Sequence, residues 1–540
     1  MLLNVRELVK KEKEEGMKTI IFAYDELDYA LQFYAKCLEE EIKPIIGQKI
    51  TMDGQEVVLL CKDSEGYRIL CRHSADSERT FTKEESSHFI FTTLKDCNNF
   101  DKQIPYIFPM EYFSKENLYK RQIDNLPDIP FPAGIGSAAE YLECLVNIGV
   151  KYRYETSSLK VQMRVKQELD AILSNHLEKY FLVIWEMTAM CRKRGIIYST
   201  FSDESNCSMI CYVLRITDVD PLKYNLYFEF LLDPGRGINP KINLFVSKNI
   251  IQHLRNIYGT DCVAYKIKKV EWERNVPEYR LGRNLIIAKN PICNYMPVYE
   301  SQRGLAGWND EYADVTCFNV VQVDHWKGYS SVANKTFHTI SFTDLKTMNY
   351  VKKNRAKIYA GYWFSDKAKK RLKDFRLNSF ADLVIVEAIL NIYPDDFSEN
   401  LLSDIIKRQK KGYKPLFDGS DEILGETYGK ILFIEQFIHI VQLAAGWDFA
   451  KADIFRRDMG KRKAVIEAEK EFDEFMECAV GRGFSTDSAI ELFMTLFDSA
   501  AFLVSKVWCL GHAKSNWQDS YLKAYYSHVF ISKSNINIDK

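Results

Sequence analysis

The chain has 540 residues, with 73 Lys and Arg against 74 Asp and Glu, a formal net charge of −1, and 46% hydrophobic and 27% charged residues. A single core stops growing near roughly 250–300 residues, so two to four domains are expected. This composition excludes a largely disordered chain, and the balanced charge excludes a uniformly basic surface while leaving room for one basic cleft.

The chain opens Met-Leu-Leu-Asn-Val-Arg and runs directly into charged residues, so no secretory leader is expected. Charge spacing predicts a helix over 5–16, closed by Gly16. A strand at 19–22, an amphipathic helix at 29–41, a strand at 43–50 around Gly47 and strands at 57–61 and 89–92 complete a small α/β unit ending near residue 100. Three prolines over 126–134 force an extended or turned connector. Helices are predicted at 138–148, 159–173 and 180–194. Asp220-Pro221 and Asp233-Pro234-Gly235 mark turns, 238–342 is strand-rich, and 345–530 is mostly helical. The apolar stretches 431–447 and 492–510 contain Glu435, His439, Asp498 and Lys506, so they read as buried helices rather than membrane spans. Disorder is expected at 532–540.

Thirteen cysteines are scattered without a C-x-x-C, and nine histidines form no H-x-H or H-E-x-x-H. Cys207 and Cys211, four apart, suit one face of a helix and read as core. A zinc site is unsupported, and dispersed thiols fit a reducing cytoplasm.

Several segments, in order, resemble the alpha subunit of bacterial DNA polymerase III, the C-family replicase. Glu15-Gly16-Met17 and Ile42-Lys43-Pro44-Ile45-Ile46-Gly47 are similar to its N-terminal PHP (polymerase and histidinol phosphatase) domain. Glu168-Leu169 through Trp185 resembles the entrance to the palm. The run from Ile216-Thr217-Asp218 to Tyr224-Asn225-Leu226 is close to family text. So are Glu426-Thr427-Tyr428-Gly429, Glu435-Gln436, Arg456-Arg457-Asp458-Met459-Gly460-Lys461 and Tyr521-Leu522-Lys523-Ala524. The resemblance implies a mixed α+β multidomain fold. Its parts are a shortened, degenerate PHP-like α/β domain over 1–125, a C-family palm over 126–345 and helical fingers over 346–540. The family's helix-hairpin-helix, clamp-binding and OB regions are not found after residue 530.

Polymerisation is an in-line phosphoryl transfer supported by two divalent ions, which require anionic oxygen ligands. The family supplies these as P-D-x-D on one strand, because residues two apart share a face, plus a third aspartate nearby. The corresponding stretch here is Pro240-Lys241-Ile242-Asn243, and no Asp or Glu occurs anywhere over 234–260. Asp324, after Val320-Val321-Gln322-Val323, corresponds to the third carboxylate and is read as retained but vestigial. The family's Gly-rich phosphate loop is replaced by Phe201-Ser202-Asp203-Glu204, in which Ser202 and Asp203 suit helix capping and two carboxylates repel phosphate. The PHP metal strand is also altered: Ala23-Tyr24-Asp25 stands where the family has T-D-H, and no histidine precedes His73.

Positive charge survives in the fingers-like region. Arg456, Arg457, Lys461 and Lys463 cluster, and Lys506 matches a family lysine. The resemblance implies nucleotide or DNA contact for these five; a solvated helix face is the alternative. The expected function is that of a replication or repair protein of this family that has lost catalysis and acts as a DNA- or replisome-binding scaffold. The alternatives are an active DNA-directed DNA polymerase with an atypical metal site and an interaction module with a vestigial groove. No cofactor is expected, magnesium only under the active alternative. Expected partners are primer–template DNA or other replication and repair proteins, without a clamp or membrane attachment, in the bacterial cytoplasm.

Overall fold

The computed structural model describes residues 4–527 apart from 53, 76–79, 97–102, 201–203, 271–277, 300–305, 309–312, 324–325, 327–336, 359–373, 392–394 and 462–464. The chain forms two compact units, each assembled from separated segments. Unit one comprises Met1–Cys144, Ile172–Met187 and Lys248–Val323, and unit two comprises Leu145–Ala171, Thr188–Ser247 and Asp324–Lys540. No helix among the described residues is long and apolar enough to cross a membrane.

Unit one begins with the helix Val5–Glu14, whose N-cap is Asn4. Gly16, at φ +78°, then takes the left-handed conformation that glycine adopts without a steric penalty. Strand β1 (Thr19–Tyr24) passes through the helix Ala30–Glu39 to a parallel partner, β2 (Lys43–Met52). Strands β3 (Gln55–Cys61) and β4 (Phe89–Thr92) follow antiparallel, giving the order β1-β2-β3-β4. One face packs Phe22, Ile46 and Leu59 against Leu31, Phe33 and Tyr34, and the other packs Ile45, Val58 and Leu60 against Ile104. Burial on both faces explains why these strands read as unbroken apolar runs. Gly47 permits the close approach of β3, since a Cβ there would lie 2.7 Å from the Leu59 carbonyl oxygen.

Strands β5 (Tyr198–Ser199) and β6 (Asn243–Val246) lie in unit two and pair antiparallel, Tyr198 opposite Val246. The remaining strands return to unit one: β7 (Val263–Val270), β8 (Glu278–Ile287), β9 (Val298–Tyr299), β10 (Ala306–Trp308) and β11 (Thr316–Gln322). They run in the order β11-β8-β7-β10-β9, with β7 and β10 parallel and the other neighbours antiparallel.

Helices dominate the end of unit two, as the periodicity predicts. Ile434–Ala445, Phe449–Gly460, Val465–Gly481 and Thr486–Ala500 share a core rich in aromatic rings, in which Phe455 stacks on Phe475 at 5.9 Å. The single buried helix expected over 492–510 is corrected. The chain breaks after Ala500, and a new helix, Lys506–Tyr525, starts from the Ser505 cap. Cys207 and Cys211 are both buried as expected, but on a 3-10 turn and a short helix rather than one helical face. The tail 532–540 and Lys463 lie outside the described residues.

Candidate nucleic-acid interface

Alternation along β6 buries Ile242, Leu244 and Val246 and leaves Lys241, Asn243 and Phe245 on the more open face. On the expectation drawn from the P-D-x-D resemblance, that face would present carboxylates to a pair of divalent ions. It offers an exposed ammonium, a neutral amide and a ring instead. Among the described residues, no three His, Cys, Asp or Glu side chains come together in a way that could hold a metal. The described donors therefore do not fit a two-ion centre, which requires several anionic oxygens. Asp324 and the 201–203 loop lie outside the described residues.

The small N-terminal sheet keeps acidic and histidine side chains, but they hold one another. Asp25 pairs with Lys49 at 3.1 Å, His73 with Glu85 at 3.3 Å and His88 with Asp63 at 2.8 Å. Asp63 also caps the helix Ser64–Arg72 by accepting from the Gly66 amide. Burial works against its charge, but His88 and that amide hold its carboxyl below the usual range.

The basic cluster is built on one carboxylate. Asp448 caps the helix Phe449–Gly460, whose inner face carries Ala452, Asp453, Phe455 and Met459. Asp453 is fully buried. Arg456 donates from Nε and Nη2 to its Oδ1 at 2.9 and 2.7 Å. Arg457 reaches Oδ2 at 2.9 Å, and Arg236, from the turn Pro234–Arg236, reaches the same oxygen at 2.5 Å. The i,i+3 and i,i+4 spacings place Arg456 and Arg457 over Asp453, while the Asp233-Pro234-Gly235 turn delivers Arg236. Asp233 stands 3.8 Å from Arg236 as well, so three guanidiniums face two carboxylates and one positive charge is in surplus. Arg457 is about half exposed, 48% of its side chain, and Lys461, the C-cap of the same helix, is exposed. This outer edge can neutralise phosphates without giving up the inner ion pairs.

Lys506 sits differently. It is buried, and its Nζ donates to Glu426 at 2.6 Å and to the Tyr224 carbonyl at 2.8 Å. Beneath it, buried Glu435 accepts the backbone amides of Lys506 and Val507 at 2.8 and 3.1 Å. Glu168 plays the same part for the helix Met209–Val213, accepting the Met209 and Ile210 amides at 2.9 and 3.0 Å with Arg164 beside it. In both, a buried glutamate satisfies the orphan donors at a helix start. Arg456 and Arg457 thus converge with Arg236 on Asp453, whereas Lys506 is committed to Glu426. Sequence reasoning missed Asp453 and Arg236. The Asp453 spacing was a readable signal; Arg236, 217 residues away, had none.

Three family models match in chain order. They are the PHP domain at residues 2–104, the bacterial DNA polymerase III alpha NTPase domain at 140–274 and the bacterial DNA polymerase III alpha subunit finger domain at 324–483. Arg456, Arg457 and Lys461 fall inside the finger match. DNA polymerase III subunit alpha of Borreliella burgdorferi is 26% identical over 497 residues, covering 76% of this chain and 43% of that protein. The Bacillus subtilis subunit is 23% identical over 583 residues, covering 90% of this chain and 51% of that protein. The chain spans about half the length of the curated relatives it matches. It is a bacterial DNA polymerase III alpha-like protein, with PHP and polymerase-related domains in a mixed α/β fold.

Proposed function

We propose that this chain is a non-catalytic polymerase III alpha-like protein that keeps the palm and fingers as a scaffold and grips primer–template DNA through the outer edge of the Phe449–Gly460 helix. The observation that supports the loss of catalysis is the stretch Lys241-Ile242-Asn243 entering β6, which by the family resemblance replaces the ion-binding carboxylates with an ammonium and an amide. An ammonium repels the divalent ions it would have to neighbour, and an amide oxygen cannot replace the missing negative charge. The grip is supported by the surplus positive charge around Asp453 and by the exposure of Arg457 and Lys461.

Binding of a fluorescent primer–template across a salt series tests the grip. Expected is a log K against log salt slope that falls by about 2 in Arg457→Gln/Lys461→Gln, one for each phosphate contact removed. Absence of binding at low salt, or an unchanged slope in the double variant, would contradict it. Those results would favour the second reading, a protein-interaction module. Its specific support is that Arg456 and Arg236 are already bound to Asp453.

A further inference from the structure

Unit one contains a cavity of about 410 Å³ that shares no residue with β6 or the arginine cluster. Its volume lies in the ordinary range for small-molecule sites, about 300–1,000 Å³. One side is apolar and aromatic. Phe108 lies edge-on to Tyr67 at 6.0 Å and against Tyr112 at 4.6 Å, with Leu31 beside them.

The second side is cationic. Arg68 and Arg72 project from the helix Ser64–Arg72, one turn apart, and Arg121 from the helix Lys115–Asp124. Arg121 is fully engaged. Its Nε donates to Asp314 at 2.8 Å, its Nη2 to the Tyr112 carbonyl at 2.7 Å, and its guanidinium covers the Tyr112 ring at 3.5 Å. Arg68 and Arg72 instead share one carboxylate, Glu65, at 3.4 and 2.8 Å. Three arginines therefore face two carboxylates, and the surplus charge lies with Arg68, which is loosely held and 44% exposed.

The third side is polar and ordered before any ligand arrives. Asn290 donates to the Tyr295 hydroxyl at 3.1 Å, Tyr295 to Asn125 at 3.2 Å, and Asn125 to the Asp314 carbonyl at 2.9 Å. Guanidiniums match phosphate oxygens in a fork geometry. Phe108 and Tyr67 are almost fully buried and Arg121 covers the Tyr112 ring, so the aromatic side is a wall and not a stacking platform. Side-chain amides supply the donors and acceptors that a base edge requires.

We propose that this cavity binds a nucleoside monophosphate, with its phosphate on Arg68 and Arg72 and the edge of its base on the side-chain amides of Asn125, Asn290 and Asn294. This assignment is independent of the reading of β6 and of DNA binding. Titration calorimetry of the full chain with AMP, inorganic phosphate and adenosine tests it. Expected is saturable 1:1 binding of AMP, with phosphate and adenosine each at least about tenfold weaker, since each keeps only half of the contacts. Arg68→Gln removes a charge-assisted contact and is expected to weaken AMP by about tenfold or more. Its thermal midpoint should stay unchanged, because its present ion pair is long and solvent-facing. The proposal is overturned by no saturable AMP binding, by phosphate binding as tightly as AMP, or by full AMP affinity in a folded Arg68→Gln variant.

Discussion

Replacing Asp453 by alanine is expected to destabilise unit two by about 3–5 kcal/mol, the usual cost of removing one partner from a buried ion pair. The side chain is fully buried and meets Arg236, Arg456 and Arg457 at 2.5–2.9 Å. Its loss removes the shared counter-charge from three guanidiniums, two of them mostly covered, and leaves Arg236 with only Asp233 at 3.8 Å. The helix that carries Asp453 also places Phe455 in the aromatic core, so repulsion among the arginines is transmitted directly to packing. Asp453→Asn keeps one acceptor and should fall between wild type and alanine. Urea denaturation of the full chain reads both variants: the unit-two transition should move to lower urea, and the unit-one transition should stay in place. Unchanged midpoints would mean that the arginines are held by something other than Asp453.

Glu435→Ala is expected to cost about 2–6 kcal/mol, since it leaves two buried amide donors without an acceptor at about 1–3 kcal/mol each. Burial holds the Glu435 pKa above the ordinary carboxyl value, and the amides of Lys506 and Val507 offset only part of that rise. Those amides open the helix Lys506–Tyr525, whose buried residues include Val507, Leu510, Ala513 and Trp517. Alanine leaves both donors buried and unpaired, while Glu435→Gln preserves one acceptor and should lose roughly half as much. Hydrogen exchange reads this locally. The first-turn amides of that helix should lose protection in Glu435→Ala, with those of β2 unaffected. Full protection at Lys506 and Val507 in the alanine variant would contradict the capping role.

Local features of the fold were readable because local physics sets them. Strand β4 falls on the apolar run 89–92, and the helices at 5–14 and 30–39 follow their amphipathic spacing to within two residues at either end. The break after Ala500 was not read, because 501–505 contains neither Gly nor Pro and continues an apolar run; its signal was the Ser505 cap. The family-like motifs proved harder to interpret. Glu168, Glu435 and Gln436 hold helix starts and loop amides, so these matching positions serve the fold itself. Lys506 looked like a free cation in sequence because its counter-ion Glu426 is 80 residues away. Asp218 likewise belongs to a motif, yet it is a buried partner of His338 at 3.0 Å. Burial opposes its charge, but His338, Lys514 and Arg153 outweigh it and hold the carboxyl down at about 2.

The proposed loss of catalysis rests on electrostatics at Lys241 and Asn243, and primer extension by the full chain tests it most directly. With a labelled primer–template, all four deoxynucleotides and magnesium or manganese, the expected result is no template-dependent lengthening of the primer. Extension that follows the template and disappears in Asp324→Ala would contradict the proposal, because it would require a working ion site beside Lys241 and Asn243.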